Sequence, residues 1–156
     1  MGDLRTLIKL MKLILASDHG GYQLKEHIKA YLEKKNLGIE DLGVFSEESV
    51  HYPEIAREAA GKVAKKNCLG ILLCGTGIGM SIVANKVKGV RAALCHSVEY
   101  AKLAREHNHA NILCLGGRFT EPVLAEKIVD TFLETQELGE RHTKRVKMIE
   151  EMEDSF

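Results

Sequence analysis

The stretch Leu69-Gly70-Ile71-Leu72-Leu73-Cys74-Gly75-Thr76-Gly77-Ile78-Gly79-Met80-Ser81-Ile82 decides how this chain reads. Its apolar run, Leu69 to Leu73, reads as a buried strand; three alternating glycines break it, and Met80 to Val87 resumes with helical spacing. A strand, a tight loop and a helix N-terminus thus follow one another, with a thiol at the turn. Glycines at 75, 77 and 79 strip the loop of side chains, so its N–H groups can approach a ligand, and the helix behind adds a partial positive charge that favours anions. A cysteine at such a terminus is expected to ionise more readily than a free thiol, which makes Cys74 a candidate base or nucleophile. The G-x-G-x-G spacing lacks the G-x-G-x-x-G of a dinucleotide fold and the closing G-K-[ST] of a P-loop, and it follows the third predicted strand instead of the first. Nicotinamide cofactors and ATP are not expected. The alternative is a glycine turn that only lets a strand reach a helix, with Cys74 a small core residue.

Upstream, Lys12 to Ser17 reads as a strand ending in Asp18-His19-Gly20-Gly21, and Leu24, Ile28, Tyr31 and Leu32 mark a helical stripe that Gly38 ends. Ile39 to Leu42 reads as a second strand, Gly43 to Tyr52 as a loop of low periodicity, and Pro53 as the opening of a helix that runs to about Lys66. Downstream, Val90 to Cys95 is strand-like, and Ser97 to Glu106 is helical with Ser97 as N-cap, closed by His107-Asn108-His109. Asn111 to Leu115 is a fifth strand ended by Gly116-Gly117-Arg118, and Glu121 to Leu133 carries an apolar stripe, with Gly139 stopping the turn after it. Arg141-His142-Thr143-Lys144-Arg145 opens a last helix whose acidic end, Glu150 to Asp154, is expected to be merely solvated.

Five apolar strands alternating with helices predict an α/β fold: a single-domain, doubly wound, five-stranded parallel sheet, Rossmann-like in three α/β/α layers, with a C-terminal helix. Such sheets bind ligands at the carboxyl ends of their strands, near the point where strand order reverses. Asp18-His19, Cys74 to Gly79 and Arg118 each follow a strand and so share one edge. His107 ends a helix and falls at the opposite edge, so a second subunit or a bent loop must bring it to the others. Arg141 and Arg145 share a helix face. Exposed cations at a helix N-terminus oppose its dipole by about 0.3–1 kcal/mol each, a cost that a phosphate between them would reverse; the alternative is a solvated basic turn balanced by Glu140 and the acidic tail. His107 and His109 lack a local cysteine or carboxylate partner, so no metal site is expected.

The 156 residues, 45% hydrophobic and 28% charged, fit one domain with a real core, read as residues 12–156 behind an N-terminal extension, 1–11. Lys+Arg 22 balances Asp+Glu 22, which leaves no basic field for nucleic acid, and no apolar run approaches a membrane span. Leu4 to Leu10 resembles a signal peptide, but Lys9 and Lys12 interrupt it and no cleavage site follows; Met11 is an alternative start. Cysteines 68, 74, 95 and 114 form no C-x-x-C pair, which suggests reduced thiols and a cytoplasmic setting.

S-D-H-G-G at 17–21, H-Y-P at 51–53, L-L-C-G-T-G-I-G-M-S at 72–81, A-N-K at 84–86, G-V-R-A-A at 89–93, R-E-H-N at 105–108, N-I-L at 111–113, G-G-R at 116–118 and R-H-T-K-R at 141–145 together resemble the ribose-5-phosphate isomerase B family. The likeness covers Lys12 to about Ile149, and the family also holds the galactose-6-phosphate isomerase subunits and some allose 6-phosphate isomerases. It implies a metal-free, cofactor-free aldose–ketose isomerase of the pentose phosphate pathway, a dimer or tetramer whose active sites are shared between subunits. It further implies ring opening by His107 assisted by Asp18, then proton transfer between C2 and C1 through a cis-enediolate by Cys74, with Thr76 relaying a hydroxyl proton. The amides of Gly75, Gly77 and Gly79 match the family's anion hole. His19, Arg141 and Arg145 match phosphate ligands, Arg118 is a further one, and Asn108 and Tyr52 are expected substrate contacts. Met80 stands where one branch of the family carries its glutamate base, so this chain resembles the cysteine branch. His51 departs from the family's D-Y-P and resembles a galactose-6-phosphate subunit, which leaves a hexose 6-phosphate as the alternative substrate. A non-catalytic phosphosugar-binding module is the alternative of a different class.

Overall fold

The computed structural model describes Thr6 and residues 10–156, so the N-terminal extension read over residues 1–11 lies largely outside the described residues. Five apolar segments pair as strands β1 (Leu13–Ser17), β2 (Ile39–Asp41), β3 (Gly70–Cys74), β4 (Ala92–Leu94) and β5 (Ile112–Gly116). All neighbours are parallel, in the order β2-β1-β3-β5-β4. Helices α1 (Tyr22–Glu33), α2 (Tyr52–Lys66), α3 (Ile78–Ala84), α4 (Val98–Asn108) and α5 (Pro122–Glu134) make the crossovers and connections, and α6 (Arg141–Met152) closes the chain. This is the doubly wound α/β sheet that the alternating pattern predicts.

Strand side chains alternate between two covered faces, as parallel strands require. Leu13, Leu15, Ile71, Leu73, Leu113 and Leu115 point to the layer of α1, α4 and α5, where Ile28, Leu32, Ile128 and Phe132 are fully buried. Ile14, Ala16, Leu72, Cys74, Ile112 and Cys114 face α2 and α3, which present Ala56, Ala59, Ala60, Val63, Met80 and Ala84. The small residues of that second layer let α2 and α3 lie close to the sheet. Each fully buried Leu or Ile contributes roughly 1.5–3 kcal/mol, so the double layer, and no single helix, holds the strand ends in place. The chain leaves β1 toward β2 on one side and returns to β3 on the other, which opens a crevice between the carboxyl ends of β1 and β3.

Several boundaries shift for local reasons. Helix α1 stops at Glu33, short of Gly38, because Asn36 takes a left-handed φ of 60°. Helix α3 starts two residues early, at Ile78, because Gly77 enters the left-handed region (φ 78°) and the Thr76 hydroxyl accepts the Ile78 N–H at 3.2 Å. It also ends at Ala84, because the Asn85 side chain turns to the edge strand, accepting from Ala92 N at 2.8 Å and donating to Ala92 O at 2.9 Å. That pairing covers one open edge of β4 and confines the strand to three residues. The acidic C-terminal end is more than solvated: Glu153 accepts the Gly89 N–H at 2.9 Å, Glu150 meets Arg91 at 3.2 Å and Asp154 pairs with Lys88, so the tail pins the turn before β4.

Candidate active site

Three loops leave the carboxyl ends of β1, β3 and β5 and interlock through backbone. Gly117 N donates to Cys74 O at 2.8 Å and Arg118 N to Gly75 O at 3.1 Å, while a Cβ on Gly20 would fall 2.9 Å from Gly75 N. Such approaches exclude side chains and bring together the loops that carry Asp18, His19, Cys74, Thr76 and Arg118, of which His19 and Arg118 line a cleft. The Asp18 carboxylate, 6% exposed, caps the one-turn 3₁₀ helix His19–Gly21: its Oδ1 accepts from Gly20 N at 2.8 Å and Gly21 N at 3.1 Å. Capping therefore uses one oxygen, and Oδ2 takes neither bond.

His19 is oriented from a distance. The Val50 N–H donates to its Nδ1 at 3.2 Å, which puts the ring proton on Nε2 and makes that nitrogen the donor available to a ligand. Val50 belongs to the 43–50 loop, and this loop is tethered by the buried ammonium of Lys25. Lys25 meets Asp41 at 2.8 Å and lies 5.1 Å from the Phe45 ring, while Gln23 donates to Glu47. Glu47 and Val50 escaped the sequence reading because their loop shows no periodicity and no motif, and Gln23 and Lys25 because their partners lie 24 and 16 residues away in sequence. His19, Gly20, Gln23, Glu47, Gly117 and Arg118 line a cleft of about 440 Å³.

Cys74 ends β3 beneath this loop cluster, 5% exposed, and the Gly77 N–H donates to its Sγ at 3.1 Å. Two of the loop's donors are thus already directed inward, Gly77 to the sulfur and Ile78 to Thr76 Oγ1. Thr76 itself is exposed. Burial pushes the other thiols up, Cys68 and Cys114 as well as Cys95, which reaches about 11, so these three are poor bases at neutral pH. A Cβ on Gly75 would fall 2.9 Å from an Arg118 terminal nitrogen, and one on Gly79 would fall 2.6 Å from the Tyr52 ring. The guanidinium and the phenol, 37% exposed, therefore flank the loop on either side. His51 caps α2 without a side-chain bond to it.

The remaining residues lie at the other edge. Helix α4 ends at Asn108, before β5 begins, and His107 stacks on His142 of α6 with ring centroids 4.3 Å apart and planes 5° from parallel. Arg141 and Arg145 are exposed on the same first turns of α6. Burial first, then the charges of His107, Arg141, Arg145 and His109, hold the His142 imidazole below the ordinary histidine range. Among the described residues none of Arg118, Arg141 and Arg145 forms an ion pair, so Glu140 and the acidic tail do not neutralise the basic turn. Asn108 is exposed beside it, its carbonyl held by Arg91 Nε at 3.1 Å. Among the described residues no three His, Cys, Asp or Glu side chains gather to hold a metal ion, and no helix is long and apolar enough to cross a membrane.

One chain therefore carries two groups of candidate residues on opposite edges of its sheet. A sulfur, loop amides, a carboxylate oxygen, an imidazole and one arginine form the first; two stacked imidazoles, two arginines and a carboxamide form the second. Chemically the first can hold an oxyanion and move a proton, and the second can bind a dianion beside an imidazole acid.

Residues 13–149 match the ribose/galactose isomerase family. Ribose-5-P isomerase B of Listeria innocua is 40% identical over 144 residues, 92% of this chain and 97% of its own length. Among solved structures, ribose-5-phosphate isomerase B of Clostridium thermocellum superposes with a TM-score of 0.91 at 46% identity, covering 93% of this chain and 99% of that one. Ribose-5-phosphate isomerase B of Mycoplasma genitalium, solved with bound ribulose 5-phosphate, gives a TM-score of 0.89 at 43% identity, over 93% and 97% of the two chains.

Proposed function

The chain belongs to the ribose/galactose isomerase family, and on that premise we propose that it interconverts ribose 5-phosphate and ribulose 5-phosphate with Cys74 as the base. The observation that carries the mechanism is the Gly77 N–H aimed at Cys74 Sγ at 3.1 Å, inside the loop cluster that also presents His19 and Arg118. That N–H holds the sulfur in place beside the loop, where it would take up and release a carbon-bound proton.

The phosphate would sit on His19 Nε2–H and Arg118, with Arg141 and Arg145 of the partner subunit completing its shell. The partner subunit's His107 protonates the ring oxygen as its bond to C1 breaks, while Asp18 Oδ2 accepts the proton of the C1 hydroxyl, which becomes the aldehyde carbonyl. In the open chain, Cys74 takes the proton from C2, and negative charge develops on O1 of the cis-enediolate, near the Gly75, Thr76 and Gly79 amides, the loop donors not already turned to Cys74 Sγ and Thr76 Oγ1. The same sulfur returns the proton to C1, and Thr76 carries the hydroxyl proton from O2 to O1, which completes the ketose. Tyr52 and the partner subunit's Asn108 would hold the sugar hydroxyls. No step draws on a metal or cofactor, so activity should persist in EDTA.

Position supports a shared site: within one chain, His107, Arg141 and Arg145 lie at the opposite edge of the sheet from Cys74. Mixing tests it directly. Cys74→Ala and His107→Ala chains, each inactive alone, are refolded together; random pairing into dimers with one intact shared site restores about a quarter of the parent activity. No recovery would show that each site is complete within its own chain. The same assay run with allose and galactose 6-phosphates ranks the substrates and would expose a hexose preference.

A further inference from the structure

We propose that the amino-end edge of the sheet carries a second anion site, a cavity that takes a small organic oxyanion, with a phosphate or carboxylate head on a short carbon skeleton, through the guanidinium of Arg105. The cavity, about 210 Å³, opens where the chain enters β1, β3 and β5, and its walls include Leu13, Leu69, Lys12, Arg91, Arg105 and Glu137. None of its lining residues belongs to the cleft lined by His19 and Arg118 or to the cation cluster around His107.

Arg105 is 5% exposed, with the Phe132 ring 5.5 Å beneath its guanidinium carbon. Its Nη1 donates to Ala110 O at 2.6 Å, and its nearest carboxylate, Glu137 Oε1, stands at 3.4 Å. Its Nε is buried and has no hydrogen-bond partner among the described residues. A buried cation with an idle donor is short of an acceptor. Burial, and beyond it the charge of Arg91, holds the guanidinium below the ordinary arginine range despite Glu137. Both facts describe a positive charge that its own chain compensates incompletely.

The present counterion is easily displaced. The Glu137 side chain is 46% exposed and divides its contacts between Arg105 and His109 Nδ1, the latter at 3.5 Å. An oxyanion placed against Nε and a terminal nitrogen would make the bidentate fork that Glu137 does not. Lys12 and Arg91 add positive potential at the mouth, while Leu13 and Leu69 offer apolar wall to a carbon chain.

The chain has no tryptophan, so Met11→Trp, at the rim of the cavity, supplies a single indole reporter. The full-length protein is titrated with inorganic phosphate and, in a separate arm, with butyrate, both at constant ionic strength. The expected result is a saturable fluorescence change with at least one of the two, kept when Arg118→Ala is added to disable the cleft and weakened at least tenfold by Arg105→Lys. Should Arg105→Lys lose its fold by circular dichroism, Leu69→Phe replaces it, because it fills the cavity while leaving the guanidinium and its bond to Ala110 intact; it must abolish the response. A flat titration with both anions, a response lost with Arg118→Ala, or one untouched by the cavity variants overturns the site.

Discussion

The two edges of the sheet are built from different materials. At the carboxyl edge the work is done by backbone: glycine loops from three strands lock together, their amides hold Asp18 Oδ1 and Cys74 Sγ, and the Val50 amide of the 43–50 loop holds His19 Nδ1, at distances between 2.8 and 3.2 Å. At the amino edge the groups are long cationic side chains, exposed or half-buried, that repel one another and depress His142. One edge is held by hydrogen bonds between backbone and side chain; at the other, burial and then the gathered like charges lower the His142 pKa. On the proposed mechanism the first edge supplies the proton transfer at carbon, and the second supplies the ring-opening acid and two of the phosphate ligands.

The sharpest way to break this contrast is Cys74→Ala. On the proposed mechanism it should lower kcat by roughly 10³-fold or more while the protein still binds ribose 5-phosphate, since only the proposed base is removed; turnover near the parent level would return Cys74 to the role of a core residue. At the opposite edge, replacing Arg141 and Arg145 by alanine should raise KM by roughly 10–100-fold and change kcat less, because phosphate contacts act alike on ground and transition states. An unaltered KM would make the basic turn a solvated surface after all.

Gly77→Ala probes the stiffness of the carboxyl edge. At φ 78° an added Cβ would meet Leu94 Cδ1 at 2.6 Å and the Leu115 carbonyl carbon at 2.8 Å, so chemical denaturation should show a loss of roughly 1–3 kcal/mol, with activity falling alongside it. The smallest effect concerns pH. Because the folded chain holds His142 below its ordinary 6.5, protonation favours the unfolded state: this group's contribution is intact above about pH 6.5 and is lost as pH falls from there through its lowered folded value. The denaturation midpoint should drop between about pH 7.5 and about pH 5.5, and inorganic phosphate should reduce that drop in the parent protein more than in Arg141→Ala. Equal drops with and without phosphate would separate His142 from any anion site.

Much of the molecule is legible in its residues. Alternation of apolar strands with amphipathic helices is enough for the parallel sheet, because parallel neighbours require crossovers, and the Cys74 to Gly79 spacing marks the loop around which the cleft forms. Ser97 as N-cap, accepting Tyr100 N at 3.2 Å, and Arg141 as the first residue of α6 also follow from local signals. The residues that orient His19 do not, since Val50 acts through its backbone N–H and Lys25 through a loop 16 residues away in sequence. Backbone donors and long-range ion pairs leave no periodic trace.

By itself the sequence determined the strand set, the chemistry available and the edge on which each candidate group falls, because period, glycine spacing and residue type are local properties. Only the tertiary structure decided which oxygen of Asp18 is taken by its cap, which tautomer His19 presents, that the acidic tail holds the turn before β4, and that His107 stacks on His142. Those outcomes depend on groups far apart in the chain reaching hydrogen-bonding or stacking distance, and that distance is set by how two layers of helices pack on one sheet.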